Sequence, residues 1–207
     1  KADLTVRLVR QLLAYDHVML YRFDEDWHGE VIGEQKQPEQ QTYLHHHFPA
    51  TDIPAQARQL LVEKPIRQIA NVRAEAVNII PYLNPSTGKP TFLLRSELRN
   101  PSEIHLEYLR NMGVQASLSV SLVVQGKLWG IIACHHKSPI WIDYWKRQVC
   151  LQIAQIFSSS ILVMQEHRDL QEMAELRERE KMLVQQLLRS DQLYNDLQQQ
   201  GEALLSL

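Results

Sequence analysis

Residues 115–124 carry the most restrictive pattern in the chain: Ser117, Ser119 and Ser121 alternate with Leu118, Val120 and Leu122. Successive side chains of a strand point to opposite faces, so this run predicts a strand with one apolar face and one face of small hydroxyls. A turn at Gln125-Gly126 returns the chain through residues 128–136, and the two runs read as an antiparallel hairpin. Loop length decides what the serines meet. A two-residue Gln125-Gly126 loop pairs odd with even positions and sends His135 to the face opposite Ser117 and Ser119. A three-residue loop, Val124-Gln125-Gly126 with Gly126 at the left-handed bulge position, pairs odd with odd and sets His135 beside them.

The other elements follow from the same kind of pattern. Leu4, Leu8, Val9, Leu12 and Leu13 recur at helical spacing. Residues 17–23 alternate, with Met19, Tyr21 and Phe23 on one face and Val18 and Leu20 on the other. A polar turn over residues 24–29 leads to a second run at 30–35, which predicts another hairpin. Thr51 or Asp52 is placed to cap a helix carrying Ala57, Leu60 and Leu61 that Lys64-Pro65 stops. Residues 65–72 suit a short strand, and 73–89, with Pro81, Pro85 and Gly88, a long irregular connection of the kind that often carries function.

Residues 91–99 lead into a helix with both ends written in. Asn100 suits the cap, Pro101 the first position, Glu103 the capping box and Gly113 the left-handed stop. His105, Tyr108 and Met112 fall on one stripe of it. Residues 144–200 contain neither Pro nor Gly and predict one long helix or two nearly continuous ones, at most about 85 Å if unbroken. Met173, Leu176, Leu183, Leu187, Tyr194 and Leu197 follow steps of four and three, interrupted by Glu180 and Ser190, and predict a two-stranded contact between copies.

Composition excludes several classes. With 22 basic and 24 acidic residues and a net charge of -2, no polybasic field points to nucleic acid or an anionic membrane. No run approaches the roughly 18 apolar residues of a membrane span. Cys134 and Cys150 lack CxxC spacing and read as reduced core thiols of a cytoplasmic protein. His45-His46-His47 cannot converge on a metal from one strand or helix face, and no phosphate-cradling Gly loop or nucleophile-base pair appears. The expectation is a binding and signalling module rather than an enzyme. Its first residues already read as helix, so further sequence is expected upstream.

Tyr21-Arg22-Phe23, Phe48-Pro49-Ala50-Thr51-Asp52-Ile53-Pro54, the helix from His105 to Val114, and Leu128-Trp129-Gly130 through His135-His136 together resemble the chromophore-binding GAF domain of phytochromes. The resemblance implies an α+β fold with an antiparallel sheet of five or six strands, helices on one side and a linear tetrapyrrole on the other, and it favours the register that sets His135 beside the serines. It divides the chain into a bilin-binding domain over 1–165, a connecting helix over 144–200 that overlaps it, and the opening of a following PHY-like domain over 201–207. It also implies an upstream PAS domain, a downstream output such as a histidine kinase, and a homodimer through the first and last helices.

By that resemblance the Asp52 main-chain carbonyl and His105 lie near the pyrrole nitrogens. Tyr21, Phe48 and Tyr108 wall the ring that rotates on photoisomerisation, and His135 bonds its carbonyl. Arg67 and Arg99 reach one propionate, Ser117 and Ser119 the other, while Ile53, Pro54 and Met112 complete the pocket. Plant and typical cyanobacterial phytochromes carry the bilin-linking cysteine immediately before the histidine of this helix, and here Ile104 stands there. The implied cofactor is therefore a biliverdin-type bilin of the bacteriophytochrome kind, with no attachment cysteine within this chain. The alternative is a chromophore-less GAF domain used for dimerisation and relay.

Overall fold

The computed structural model describes residues 1–94, 96 and 99–205, with side chains described through 200. Two compact units divide at residue 161, and each is taken by itself. In the first unit, helix α1 (Ala2–Leu13) is followed by strands β1 (His17–Phe23), β2 (Gly29–Lys36) and β3 (His47–Phe48). A short 3-10 turn (Ala50–Asp52), α2 (Ala55–Glu63), β4 (Ile66–Ile69), α3 (Glu103–Asn111), β5 (Ala116–Val124), β6 (Lys127–His136) and the start of α4 (Tyr144–Leu205) complete it. The six strands form one antiparallel sheet in the order β3-β2-β1-β6-β5-β4.

The alternation in β5 builds the core. Leu118, Val120 and Leu122 meet Val18, Leu20, Ile132 and Cys134 on one face, and Val6, Val9 and Leu13 of α1 with Cys150, Ala154 and Phe157 of α4 close over them. Each such buried aliphatic side chain contributes about 1.5–3 kcal/mol. On α1 the buried face is Thr5, Val6, Val9 and Leu13, whereas Leu4 and Leu8 of the expected stripe are exposed. Helical spacing alone could not choose between these overlapping faces.

The opposite face carries the odd positions of β1, β5 and β6. Helices cover both faces rather than one: α2 brings Leu61 and Val62 to Phe23 and Ile131, and α3 brings Leu106 and Leu109 to Ile69 and Val72. The expected odd-with-odd register is present, Ser117 opposite His135 and Ser119 opposite Ala133, but its cause is not a three-residue loop. Val124 pairs with Lys127 across a two-residue turn in which Gln125 (φ 49°) and Gly126 (φ 76°) are both left-handed. Parity is restored by a bulge that makes Trp129 the extra residue, and its ring packs against Phe157.

Two caps also differ. α3 begins at Glu103 with Ser102 at the cap and no side-chain cap bond, so Asn100 and Pro101 precede the helix; Gly113 (φ 72°) does stop it. α2 follows Pro54, whose fixed φ suits a helix start, so neither Thr51 nor Asp52 caps it.

The expected long helix is one element, α4, and it continues through Gly201 to Leu205. An 18-residue window within Tyr144–Gln200 reaches a mean hydropathy of 1.2, so by length and composition alone α4 could cross a membrane, which qualifies the expectation of no such run. Cys150, Ala154 and Phe157 are instead core residues of the first unit. In the second unit Met173, Leu176, Leu183, Leu187, Tyr194 and Leu197 are all exposed. The segment placed as the opening of a following domain, 201–207, is the end of α4 as far as 205; 206–207 and part of the 91–99 segment lie outside the described residues.

Candidate functional site

The odd face of the sheet, with α3 on one side and the 48–54 loop on another, gathers most of the residues singled out from the sequence. Register puts Arg67 of β4 beside Ser119, Ser119 beside Ala133, and Ala133 beside Met19; the next row joins Ile69, Ser117, His135 and His17. Side chains of such rows share a face and touch.

One end of this face is cationic. Arg67 Nη2 donates to the main-chain carbonyl of Arg99 over 2.7 Å. Arg67 Nη1 and Arg99 Nε are buried and have no hydrogen-bond partner among the described residues. Burial first, and the Arg99 charge second, push the Arg67 pKa down to about 10. Two guanidinium groups with donors to spare have the chemistry to pair with an anion.

The other end is aromatic. Tyr21 packs edge-on against Phe23 at 5.2 Å and tilts against Phe48 at 5.9 Å, which in turn meets Tyr43 at 6.1 Å. A Cβ at Gly29 would fall within the Tyr21 ring, so the strand position opposite Phe23 must be glycine for Tyr21 to lie as it does. Burial, then Asp52, then Tyr108 and Asp24 raise the Tyr21 pKa to about 12. Burial and then Asp52 and Tyr43 raise that of Tyr108. Asp52 thus stands within electrostatic reach of both phenols. Its loop is fixed by Arg58, whose Nη1 donates to the carbonyls of Ile53 at 2.6 Å and Ala50 at 3.3 Å. Ile53 itself packs with Phe23, Leu128 and Ile131.

His105 and Tyr108 stack on α3 with ring centroids 6.4 Å apart. Both are solvent-accessible, Tyr108 by 42%, yet desolvation is the first cause of the shift in each: the His105 pKa is lowered by burial and then by Arg67. Accessible side chains surrounded by protein mark the wall of an open hollow. His135 lies deeper in it; burial, then His17, then His105 push its pKa down to about 4. Met112 packs under α3 and also lines a small cavity beside His135. Among the described residues no three His, Cys, Asp or Glu side chains converge as metal ligands.

The sequence profile of the GAF domain matches residues 2–163. The chain belongs to the GAF domain family. This GAF domain is homologous to phytochromes. It is 40% identical over 205 residues to cyanobacterial phytochrome A of Nostoc, covering 99% of this chain and 27% of that protein. It is 44% identical over 167 residues to a bacteriophytochrome of Xanthomonas campestris, covering 79% of this chain and 26% of that protein. It thus spans about a quarter of the length of these relatives. The crystal structure of the chromophore-binding domain of an unusual bacteriophytochrome from R. palustris matches with a TM-score of 0.79 at 38% identity, over 81% of this chain and 55% of that one.

Around the GAF hollow, sequence reasoning missed Tyr43, Met19, Arg58 and the His17–Glu34 pair. Tyr43 lies in a polar loop without periodicity and joins the aromatic wall with its main-chain N–H donating to Glu34 at 2.7 Å. Met19 was visible as an odd position of β1, but nothing local marked it. Pro54 and the Asp52 carbonyl are placed by the 3-10 turn, a feature that the Pro49 and Pro54 spacing hints at only weakly.

Proposed function

We propose that this GAF domain is the pigment-binding module of a red/far-red photoreceptor, holding a biliverdin-type linear tetrapyrrole on the odd face of its sheet. The observation that carries this reading is the pairing of Arg67 and Arg99 with buried unpartnered donors at one end of a hollow whose other end is aromatic and contains His135. A linear tetrapyrrole has that polarity: two propionates and a conjugated ribbon ending in lactam carbonyls. When bound, it would supply light absorption and a photoisomerisable double bond.

The chain's own residues then divide the work. Arg67 and Arg99 hold one propionate, and the hydroxyls of Ser117 and Ser119 hold the other. The Asp52 carbonyl and His105 accept from or exchange protons with the pyrrole nitrogens. Tyr21, Phe48, Tyr108, Met112, Ile53 and Pro54 shape the apolar wall, and His135, kept neutral by burial, donates to a terminal carbonyl.

The pigment in this reading is held without a thioether to this chain, and the placement of its two cysteines supports that. Cys134 and Cys150 sit in the core on the other face of the sheet, and burial raises both thiols, that of Cys150 to about 12. Ile104, directly before His105, has no thiol.

Because α4 packs on the apolar face of the same strands whose other face carries the hollow, a change of shape at Tyr21 or His135 is passed through one sheet thickness to Cys150, Ala154 and Phe157. The exposed stripe further along α4 pairs with a second copy and carries the signal toward an output domain of histidine-kinase type, with PAS and PHY-like neighbours in a longer protein. Co-elution of biliverdin with the chain on gel filtration, lost in Arg67→Gln, tests the binding step. Pigment that never travels with the wild-type chain overturns it and leaves the chromophore-less relay.

A further inference from the structure

Beside His135 the fold buries an acid-base pair that the pigment reading leaves unused. His17 is the register partner of His135 across β1 and β6, so both rings stand on the same sheet face. Its Nε2 lies 2.8 Å from Glu34 Oε1, and the two side chains are only 4% and 6% exposed. Burying an ion or its partner at this level is costly unless every lone pair is used. Here the carboxylate is fully engaged: Oε1 also accepts the Tyr43 main-chain N–H, and Oε2 accepts Thr42 Oγ1.

The protonation state follows. Burial opposes ionisation of Glu34, but the bonds from Thr42, Tyr43 and His17 outweigh it and hold its pKa below the usual range. For His17 burial wins over the pull of Glu34, with Lys36 and Arg10 adding to the lowering. At neutral pH the pair is a carboxylate and a neutral imidazole. A neutral imidazole bonded to a carboxylate carries its proton on that nitrogen, Nε2, so His17 Nδ1 is an acceptor. Nδ1 has no partner among the described residues.

A cavity of about 40 Å³ adjoins both rings, lined by His17, Gln40, Tyr43, Met112, His135 and His136 among others. At ~10–15 Å³ per water it has room for roughly three or four waters, and its wall offers polar partners for them. Tyr43 stacks on His17 with centroids 5.7 Å apart and closes one side. Of the other groups nearby, His136 Nδ1 accepts the Asp16 main-chain N–H at 3.2 Å and lies 3.0 Å from Asp16 Oδ2, Oδ2 accepts the Lys137 main-chain N–H at 2.8 Å, Lys137 lines the cavity, and His105 faces His135 from α3.

We infer that His17 and Glu34 are positioning residues for His135, acting through water held in this cavity. Glu34 fixes the His17 tautomer, a water donates to His17 Nδ1, and that water in turn fixes which nitrogen of His135 carries the proton that it presents to the hollow. The functional weight of this arrangement rests on the pigment reading, in which His135 donates to a terminal carbonyl; the arrangement itself is testable without pigment.

The experiment is imidazole nitrogen NMR of the pigment-free chain at neutral pH, where neither ring is charged. In the wild type His17 is expected as the Nε2–H tautomer, and ring protons of both His17 and His135 show cross-relaxation to a long-lived water. In Glu34→Gln the nitrogen shifts of His17 and of His135 both move toward a tautomer mixture, although Glu34 does not touch His135; Thr42→Val gives a smaller movement in the same direction. A His135 ring unchanged while His17 moves overturns the inference, and so does the absence of water contacts in the wild type, a result that needs no variant to fold. Biliverdin added afterwards separates the two ideas: a wild-type chain that fails to take up pigment sinks the pigment reading and leaves the NMR result to decide the water link by itself.

Discussion

Arg67 and Arg99 are joined by a hydrogen bond from the guanidinium of one to the main-chain carbonyl of the other, 2.7 Å long, and burial first, then the Arg99 charge, lowers the Arg67 pKa. Such a pair is poised for an anion. Replacing Arg67 by Gln removes charge-assisted hydrogen bonds of about 1.5–3 kcal/mol, or roughly ten- to a hundredfold in affinity for biliverdin. Titration with biliverdin and its dimethyl ester distinguishes this from loss of shape. The wild type is expected to prefer the free acid, and Arg67→Gln to lose that preference.

Gly29 leaves room for the Tyr21 ring, and an added Cβ would fall within it. Gly29→Ala is therefore expected to destabilise the fold by about 1–3 kcal/mol through overpacking. Most of that loss should be absent when Tyr21 is already Ala. Urea unfolding of the two single variants and the double variant measures the coupling; additive losses would mean that Tyr21 does not lie over Gly29.

His135 titrates at about 4 when folded, against about 6.5 unfolded. Between those values the unfolded chain binds the proton and the folded one does not, so stability rises with pH through this window and falls as pH drops from about 6.5 toward 4. The full effect is at most ~3.5 kcal/mol, from ~1.4 kcal/mol per pKa unit. Glu34, with a lowered pKa, adds a loss of the same sign as pH falls below the usual carboxylate range. Denaturant midpoints at pH 7 and 5 should differ less in His135→Gln than in the wild type. An equal slope in both would place the His135 pKa near its ordinary value.

Leu183 and Leu187 belong to the exposed stripe of the second unit. Leu183→Glu with Leu187→Glu is expected to shift the chain toward monomer in sedimentation while leaving pigment absorption unchanged. A wild type that sediments as monomer at all accessible concentrations would remove this helix from the contact.

The sheet was legible because its patterns are local. The serine alternation of β5, the alternation of β1 and the proline-free run of α4 each state their element within a short window. The register that sets His135 beside Ser117 was right for a different reason than loop length: the compensating bulge at Trp129 depends on that ring packing against Phe157, a partner 28 positions away that no window reveals. Caps failed for a related reason. Asp52 has the chemistry of a cap, but Pro54 starts α2, which frees Asp52 to face Tyr21 and Tyr108. The grouping of Arg67, His105 and His135 was legible through resemblance alone, since three elements bring it together. His17 and Glu34 were invisible because their environment is made by β1 pairing with β2 and by a polar loop folding back over them.

The most direct measurement is the absorption spectrum of the purified chain after incubation with biliverdin, followed by a denaturing gel stained for zinc-bilin fluorescence. The account predicts a sharpened red or far-red band that changes reversibly under red illumination, with all pigment released on denaturation because neither Cys134 nor Cys150 can reach the hollow. A spectrum indistinguishable from that of free biliverdin would contradict the proposed pigment site.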